Sequence, residues 1–320
     1  MFPRARAASL QGGWSVVVFV LVVLTALLLA PDVFAAVRRA PALELPAVDL
    51  PELPIARDGA AVVAGEGALY VVGGESREGL LGRLERFDLT TRRWQVLSDE
   101  LIPRRHASVV LVGDQLLVFG GRGERGPEAV VEAWHLGRGV LETRAPMPTP
   151  RYFAGAALFE GQVYVAGGTM GWGRTDVVEV YDPARDEWYV NAPLKEARDT
   201  QLVVVGGVLY ALGGYTGEGV STLIERFDGR RFVEAGRMPK PTSAFAAAVV
   251  GDEVYLFGDH RDIGRVLRLR PETGAFRELR TGYFPRRLSA AAAVGETIFV
   301  VGGSQPSGHK LGAVERFDID

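Results

Sequence analysis

Six short apolar stretches of this 320-residue chain end in glycine, and five of them end in a pair: Gly73-Gly74, Gly120-Gly121, Gly167-Gly168, Gly213-Gly214 and Gly302-Gly303. The remaining stretch ends in Gly258-Asp259. The first glycines, at positions 73, 120, 167, 213, 258 and 302, are almost evenly spaced. A long regular period of this kind means that one supersecondary unit is being repeated, and a single unit cannot bury its own apolar face without stacking on its neighbours. The architecture is therefore set by the repeat.

Each unit predicts four strands, shown in full by "FAGAALF", "QVYVAGG", "VVEVYDP" and "WYVNAPL" between positions 152 and 195. Side-chain size gives each strand a radius. The first strands ("GAAVVA", "ASVVLV", "AGAAL", "TQLVVV", "AFAAAVV", "SAAAAV") carry mostly Ala, Val, Gly and Ser, so six copies can converge on one axis. The aromatics that open the outer strands, such as Trp94, Trp188, Phe232 and Phe276, belong farther out, where wedge-shaped gaps between sheets must be filled. The last unit stops after three strands at "VERFDID", and residues 43–50 are placed to supply its missing outer strand and close the ring.

The paired glycines after an apolar strand, the "VEVYDP" strand at 178–183, and a Trp at one fixed offset past the glycines (Gly73 to Trp94, Gly167 to Trp188) resemble the kelch repeat. The resemblance covers residue 43 to the end and implies an all-β, six-bladed propeller of four-stranded blades over 43–320. Some kelch propellers contact acidic ligands at the turn before the innermost strand. Exported bacterial six-bladed members include the sialic acid mutarotases, so the resemblance also carries an enzymatic alternative, sugar mutarotation or epimerisation.

Upstream, "WSVVVFVLVVLTALLLA" (14–30) runs without a charge behind Arg4 and Arg6. Residues 1–35 read either as a cleaved signal peptide, with Val33 and Ala35 at the −3 and −1 positions, or as a retained anchor. Residues 36–42 are a short linker. Both readings put the propeller outside the cytoplasm, periplasmic, secreted or held at the inner membrane, with the N-terminal segment as its one membrane contact. With no cysteine, disulfides, thiolate metal sites and cysteine nucleophiles are excluded. A net charge of −3 with interspersed signs lacks the basic stripe of a nucleic-acid binder. No residue cluster has metal-ligand spacing and no cofactor is implied. "GRGERG" (121–126) mimics a dinucleotide loop, but Pro127 and a strand follow it where a helix is required.

Arginine recurs in register just before the first strand of five units: Arg57, Arg104-Arg105, Arg151, Arg198 and Arg286-Arg287. Topology puts this turn at the mouth of the central channel. Two readings follow. In one, Arg57, Arg105, Arg151, Arg198 and Arg287 converge on an acidic small molecule, glycan or peptide. In the other, each arginine is consumed by a glutamate that repeats at a constant offset past the glycine pair (Glu85, Glu132, Glu179, Glu225). Asp58 and Asp199, half a turn apart, and His106 are the acid–base candidates if the chain is an enzyme. The loops after the glycine pairs add Trp172, Arg174, Tyr215, His260 and Arg261 as ligand-contact candidates. A third class of function is an envelope scaffold that docks a protein through these loops. The fifth unit lacks its second glycine (Asp259), its glutamate (Leu267) and its arginine (Thr242) together. That joint loss points to the arginine and glutamate as partners, and it sets Asp259, His260, Arg261 and Asp262 beside the gap.

Overall fold

The computed structural model describes residues 44–319. The signal or anchor segment and the linker expected at 1–42 lie outside the described residues.

Six antiparallel four-stranded sheets are arranged as propeller blades in chain order. Blade 1 is Ala61–Gly65, Ala68–Val72, Leu84–Asp88 and Arg93–Ser98, and blade 3 is Gly155–Phe159, Gln162–Ala166, Val178–Asp182 and Glu187–Asn191. The last blade consists of Ala290–Val294, Thr297–Val301 and Val314–Asp318 with Val48–Asp49 as its outer strand, paired Val48 to Arg316 and Asp49 to Glu315. The ring is thus closed by the beginning of the propeller sequence, as its three-stranded last repeat requires.

Burial follows the radial gradient of side-chain size. The second strand of each blade is almost wholly buried, whereas outer strands alternate toward solvent. The core falls into six apolar clusters, one in each gap between neighbouring blades. The cluster between blades 2 and 3, for example, joins Leu117, Phe119 and Val131 to Val163, Val165 and Tyr181. Trp188 caps it, 5.9 Å from Phe119 and 5.0 Å from Tyr181 between ring centroids. Its indole N–H donates to the Ala145 carbonyl at 2.9 Å, so the large ring is anchored at its polar end as well.

The glycine pairs are the stitches between blades. Gly167 and Gly168 have φ of +65° and +98°, where glycine alone is unstrained. A Cβ on Gly167 would lie 2.4 Å from the Arg198 carbonyl oxygen, and the Gly168 N–H donates to that same oxygen at 2.8 Å. The bond recurs from Gly74 to Arg104, from Gly121 to Arg151 and from Gly214 to Thr242. Gly303 to Arg57 repeats it across the closure, at 2.8 Å. Five of the six units are thereby locked to the next through backbone that a side chain would push apart, the exception among the described residues being the fifth, with Asp259 in place of the second glycine.

Candidate functional site

The arginines in register with Arg57 do not line the channel mouth. Arg57, Arg104, Arg151, Arg198 and Arg286 are among the most deeply buried side chains of the protein, each at most 2% exposed. Each is paired within its own blade to a buried glutamate: Arg57 to Glu85 and Arg198 to Glu225 at 2.6 Å, Arg104 to Glu132, Arg151 to Glu179, and Arg286 to Glu315. Other guanidinium donors reach main-chain carbonyls, Arg151 to Gly167 and Val177 and Arg198 to Gly213. Burial holds the Arg57 and Arg151 guanidinium groups below the usual arginine range despite their partners, and it pushes the Glu85 carboxyl up despite Arg57. Of the two readings of the arginine repeat, local pairing is the one the geometry realises. Arg57, Arg151 and Arg198 are corrected from ligand contacts to core ion pairs.

Blade 5 shows what replaces the pair. Thr242 and Leu267, at the arginine and glutamate positions, are buried without charge. Asp259 stands where the other blades have their second glycine, and it does not share their positive φ. Its carboxylate accepts from the backbone N–H of Ser243 at 3.0 Å and of Arg261 at 2.8 Å. It also pairs with Arg265 at 3.2 Å, and Arg265 in turn donates to the Thr242 hydroxyl at 3.3 Å. An aspartate–arginine pair of different origin therefore fills the space of the lost arginine–glutamate pair. The residues that follow, His260 and Arg261, are left exposed at the rim.

One residue beyond the buried arginines lies a ring at the mouth: Asp58, Arg105, Tyr152, Asp199, Ser243 and Arg287. On one side it is an ion network. Lys310 reaches Asp58 at 2.7 Å and Glu75 at 3.1 Å, and Arg105 pairs with Glu75. Asp58 and Arg105 are both engaged there, and Asp58 does not share a cavity with Asp199. Arg122, Arg261 and Arg287 have no carboxylate partner among the described residues.

One residue deeper, five blades turn into left-handed backbone: Gly59, His106, Phe153, Ala244 and Leu288, with φ between 54° and 61°. These residues form a collar above the small side chains of the inner strands, which enclose an axial chamber of about 230 Å³. His106 lines the chamber, half-buried and stacked on Phe153 at 3.9 Å, and a Cβ on Gly59 would collide with its ring at 2.6 Å. Burial, then the nearby charges of Arg105, Arg122 and Lys310, hold its imidazole well below the usual histidine range, so it is neutral at pH 7.

The larger cavity, about 690 Å³, opens at the mouth over blades 3 to 5. Among the expected residues it gathers Arg174, Asp199, Tyr215, His260 and Arg261. Arg174 lies over the Tyr215 ring at 4.5 Å and 3.6 Å from the Asp199 carboxylate, which also accepts the Thr169 hydroxyl at 2.6 Å. Burial raises the Asp199 carboxyl above the ordinary aspartate range, against the opposing pull of Thr169 and Arg174. Trp172, 85% exposed, tips the hairpin Thr169–Met170/Gly173–Arg174 and stands outside the lining. Phe153, Gln201, Ala244 and Leu288 also line the cavity. Their residue types give no sign of it. The available signal is position, since Phe153, Ala244 and Leu288 each stand two places past the buried-arginine register. Among the described residues, no group of three or more His, Asp or Glu side chains converges at metal-binding distance.

Comparison with known proteins agrees with the architecture. The Kelch motif model matches residues 56–99 and 150–195, which are the first and third units. A solved structure titled "Structure of YjhT" superposes with a TM-score of 0.70 at 13% identity, over 83% of this chain and 95% of the other. No curated protein matches the sequence.

Proposed function

The chain is a six-bladed β-propeller of kelch repeats, and we propose that it is an extracytoplasmic binding module whose mouth cavity over blades 3 to 5 takes a carboxylate-bearing saccharide. The observation that carries the reading is the cavity's composition. A volume of about 690 Å³ is walled by the aromatic faces of Phe153 and Tyr215 and set with Arg174, Arg261, Asp199, Gln201 and Ser243. That volume falls in the range of small-ligand sites, which combine apolar walls with a few orienting polar groups. Sugar rings offer apolar faces to aromatics and hydroxyls to planar polar side chains. Arg261, without a carboxylate partner among the described residues, supplies the attraction for an anion. Placement outside the cytoplasm rests on the charge-free run at 14–30 behind two arginines. Protease protection in intact and lysed cells tests it, and shielding of the propeller after selective opening of the outer compartment would refute it.

Calorimetric titration of the full chain with D-glucuronate and with methyl β-D-glucoside tests the ligand class. The acid is expected to bind at least tenfold more tightly, with the difference abolished by Arg261→Ala. Equal affinities, or no binding of the acid, refute the reading.

Asp199 favours a second reading. Asp199 lies inside a sugar-sized cavity with its carboxyl raised by burial, the direction that suits a proton-transferring group in mutarotation of a bound sugar. Anomer exchange of D-glucuronate followed by NMR should then accelerate, and the acceleration should vanish in Asp199→Asn. Unchanged exchange removes the enzymatic reading and leaves the binding module.

A further inference from the structure

The collar is hydrogen-bonded on one side of the axis and interrupted on the other. The Gly59 N–H donates to the Leu288 carbonyl at 2.9 Å, His106 to Gly59 at 2.7 Å, and Phe153 to His106 at 3.2 Å. This chain of bonds runs from blade 6 through blades 1 and 2 to blade 3. Beyond it, among the described residues, no such bond links Thr200 to Phe153, Ala244 to Thr200 or Leu288 to Ala244.

Thr200 accounts for the interruption. It occupies the collar position of blade 4 but lacks the positive φ of the other five. A β-branched residue is a poor fit to left-handed backbone. Its buried hydroxyl instead donates to the Leu212 carbonyl at 3.1 Å, drawing residue 200 into line with the second strand of its blade. The collar therefore cannot be carried through blade 4.

Ala244 and Leu288, past the interruption, nevertheless keep φ of 54°. Left-handed backbone is strained for a non-glycine residue. At His106 and Phe153 the inter-blade hydrogen bond accompanies that strain, whereas at Ala244 and Leu288 it does not. Their N–H groups are held in a strained, fixed arrangement with no backbone acceptor among the described residues. Phe153, Thr200, Ala244 and Leu288, which flank the break, all line the 690 Å³ cavity, and so does Arg261. Strained backbone with free donors at a cavity wall is the arrangement expected of a preorganised ligand contact.

We propose that the break in the collar is the anion subsite of the mouth cavity: the Ala244 and Leu288 backbone N–H groups donate to the carboxylate and an adjacent oxygen of the acidic saccharide, with the Arg261 guanidinium beside them. The inference rests on the reading of the cavity as an acidic-saccharide site. It goes further by assigning the charged end to backbone donors and Arg261, and the ring of the sugar to Tyr215 and Phe153. It also makes Thr200 a positioning residue, acting by keeping the collar open.

Hydrogen–deuterium exchange of the full chain, read at single-residue resolution with and without saturating D-glucuronate, tests it. The Ala244 and Leu288 amides are expected to slow at least fivefold with D-glucuronate and to stay unchanged with methyl β-D-glucoside. Protection confined to residues around Arg174 and Tyr215 overturns the collar subsite while leaving the acidic-saccharide reading intact. Protection nowhere overturns both. A variant adds an independent arm: Thr200→Gly removes the β-branch and lets the collar continue through blade 4, so D-glucuronate affinity should fall at least fivefold. An affinity equal to that of the parent chain refutes the role given to Thr200 and the subsite with it.

Discussion

The Arg151–Glu179 pair allows a direct test of how the blades are held. Arg151 and Glu179 have side chains 0% and 1% exposed, and no second charged group lies within pairing distance of either among the described residues. Arg151→Thr leaves the Glu179 carboxylate buried with the Thr149 hydroxyl as its remaining donor, at 2.6 Å, and strips the Gly167 carbonyl of its donor, while the Val177 carbonyl keeps the Gly167 N–H at 3.1 Å. Glu179→Leu leaves a buried guanidinium without its counter-charge. Breaking a buried pair from one side costs about 3–5 kcal/mol, so each single variant should lose that much. Blade 5 supplies the pair of residues that coexist at these positions, Thr242 and Leu267. The double variant Arg151→Thr/Glu179→Leu buries no unpaired charge, and its remaining polar cost is the orphaned Gly167 carbonyl, about 1–3 kcal/mol. It should therefore be at least as stable as either single variant, far from the additive loss of about 6–10 kcal/mol implied by two such costs. Urea unfolding of the full chain, followed by near-ultraviolet circular dichroism, measures all three. A double-variant loss equal to the sum of the singles within about 0.5 kcal/mol would refute the claim that these residues act as one unit.

Two further outcomes follow from the same geometry. Gly167→Ala should lower stability by about 3 kcal/mol or more, because it adds left-handed strain to a Cβ placed 2.4 Å from the Arg198 carbonyl oxygen; Gly171→Ala, with nothing within 4 Å of its Cβ, should stay within about 0.5 kcal/mol by the same melt. His106 is held below the ordinary histidine value in the fold, so the unfolded chain binds its proton more readily. Stability from this residue is complete above about pH 6.5 and is lost as pH falls from there through the folded value. His106→Gln should flatten that part of the stability–pH curve, and a curve identical to the parent's would contradict the assignment.

Much of the fold was legible because glycine pairs, strand-opening aromatics and small inner-strand residues each answer to a local demand that leaves few alternatives. Ring closure was legible from a last repeat one strand short. The joint absence of arginine and glutamate from blade 5 carried the pairing, since a buried charge cannot outlast its partner. The site was less legible. In "RR" at 104–105 and 286–287, composition does not say which arginine turns into the blade, and one residue of register separates a core ion pair from a mouth cation. The collar was hidden for a different reason. At His106 and Phe153 the left-handed turn goes with hydrogen bonds between blades, which composition does not show, and Ala244 and Leu288 adopt it without them; only Gly59 has a residue type that signals it.

The ring closure has a mechanical meaning. Five blades hold their outer strand by four or five paired residues, whereas blade 6 holds Val48–Asp49 by two, helped by the bonds of Leu50 to Val314 and Leu53 to Gly312 and by the Trp94 indole on Pro51. Force applied through the N-terminal side of the chain would load this short seam in the peeling direction, one hydrogen bond at a time. Once it parts, the last blade is left with an unpaired strand edge, while the Gly303 bond to Arg57 and the apolar cluster between blades 6 and 1 still hold the ring. Tension from that side therefore meets its shortest ladder first.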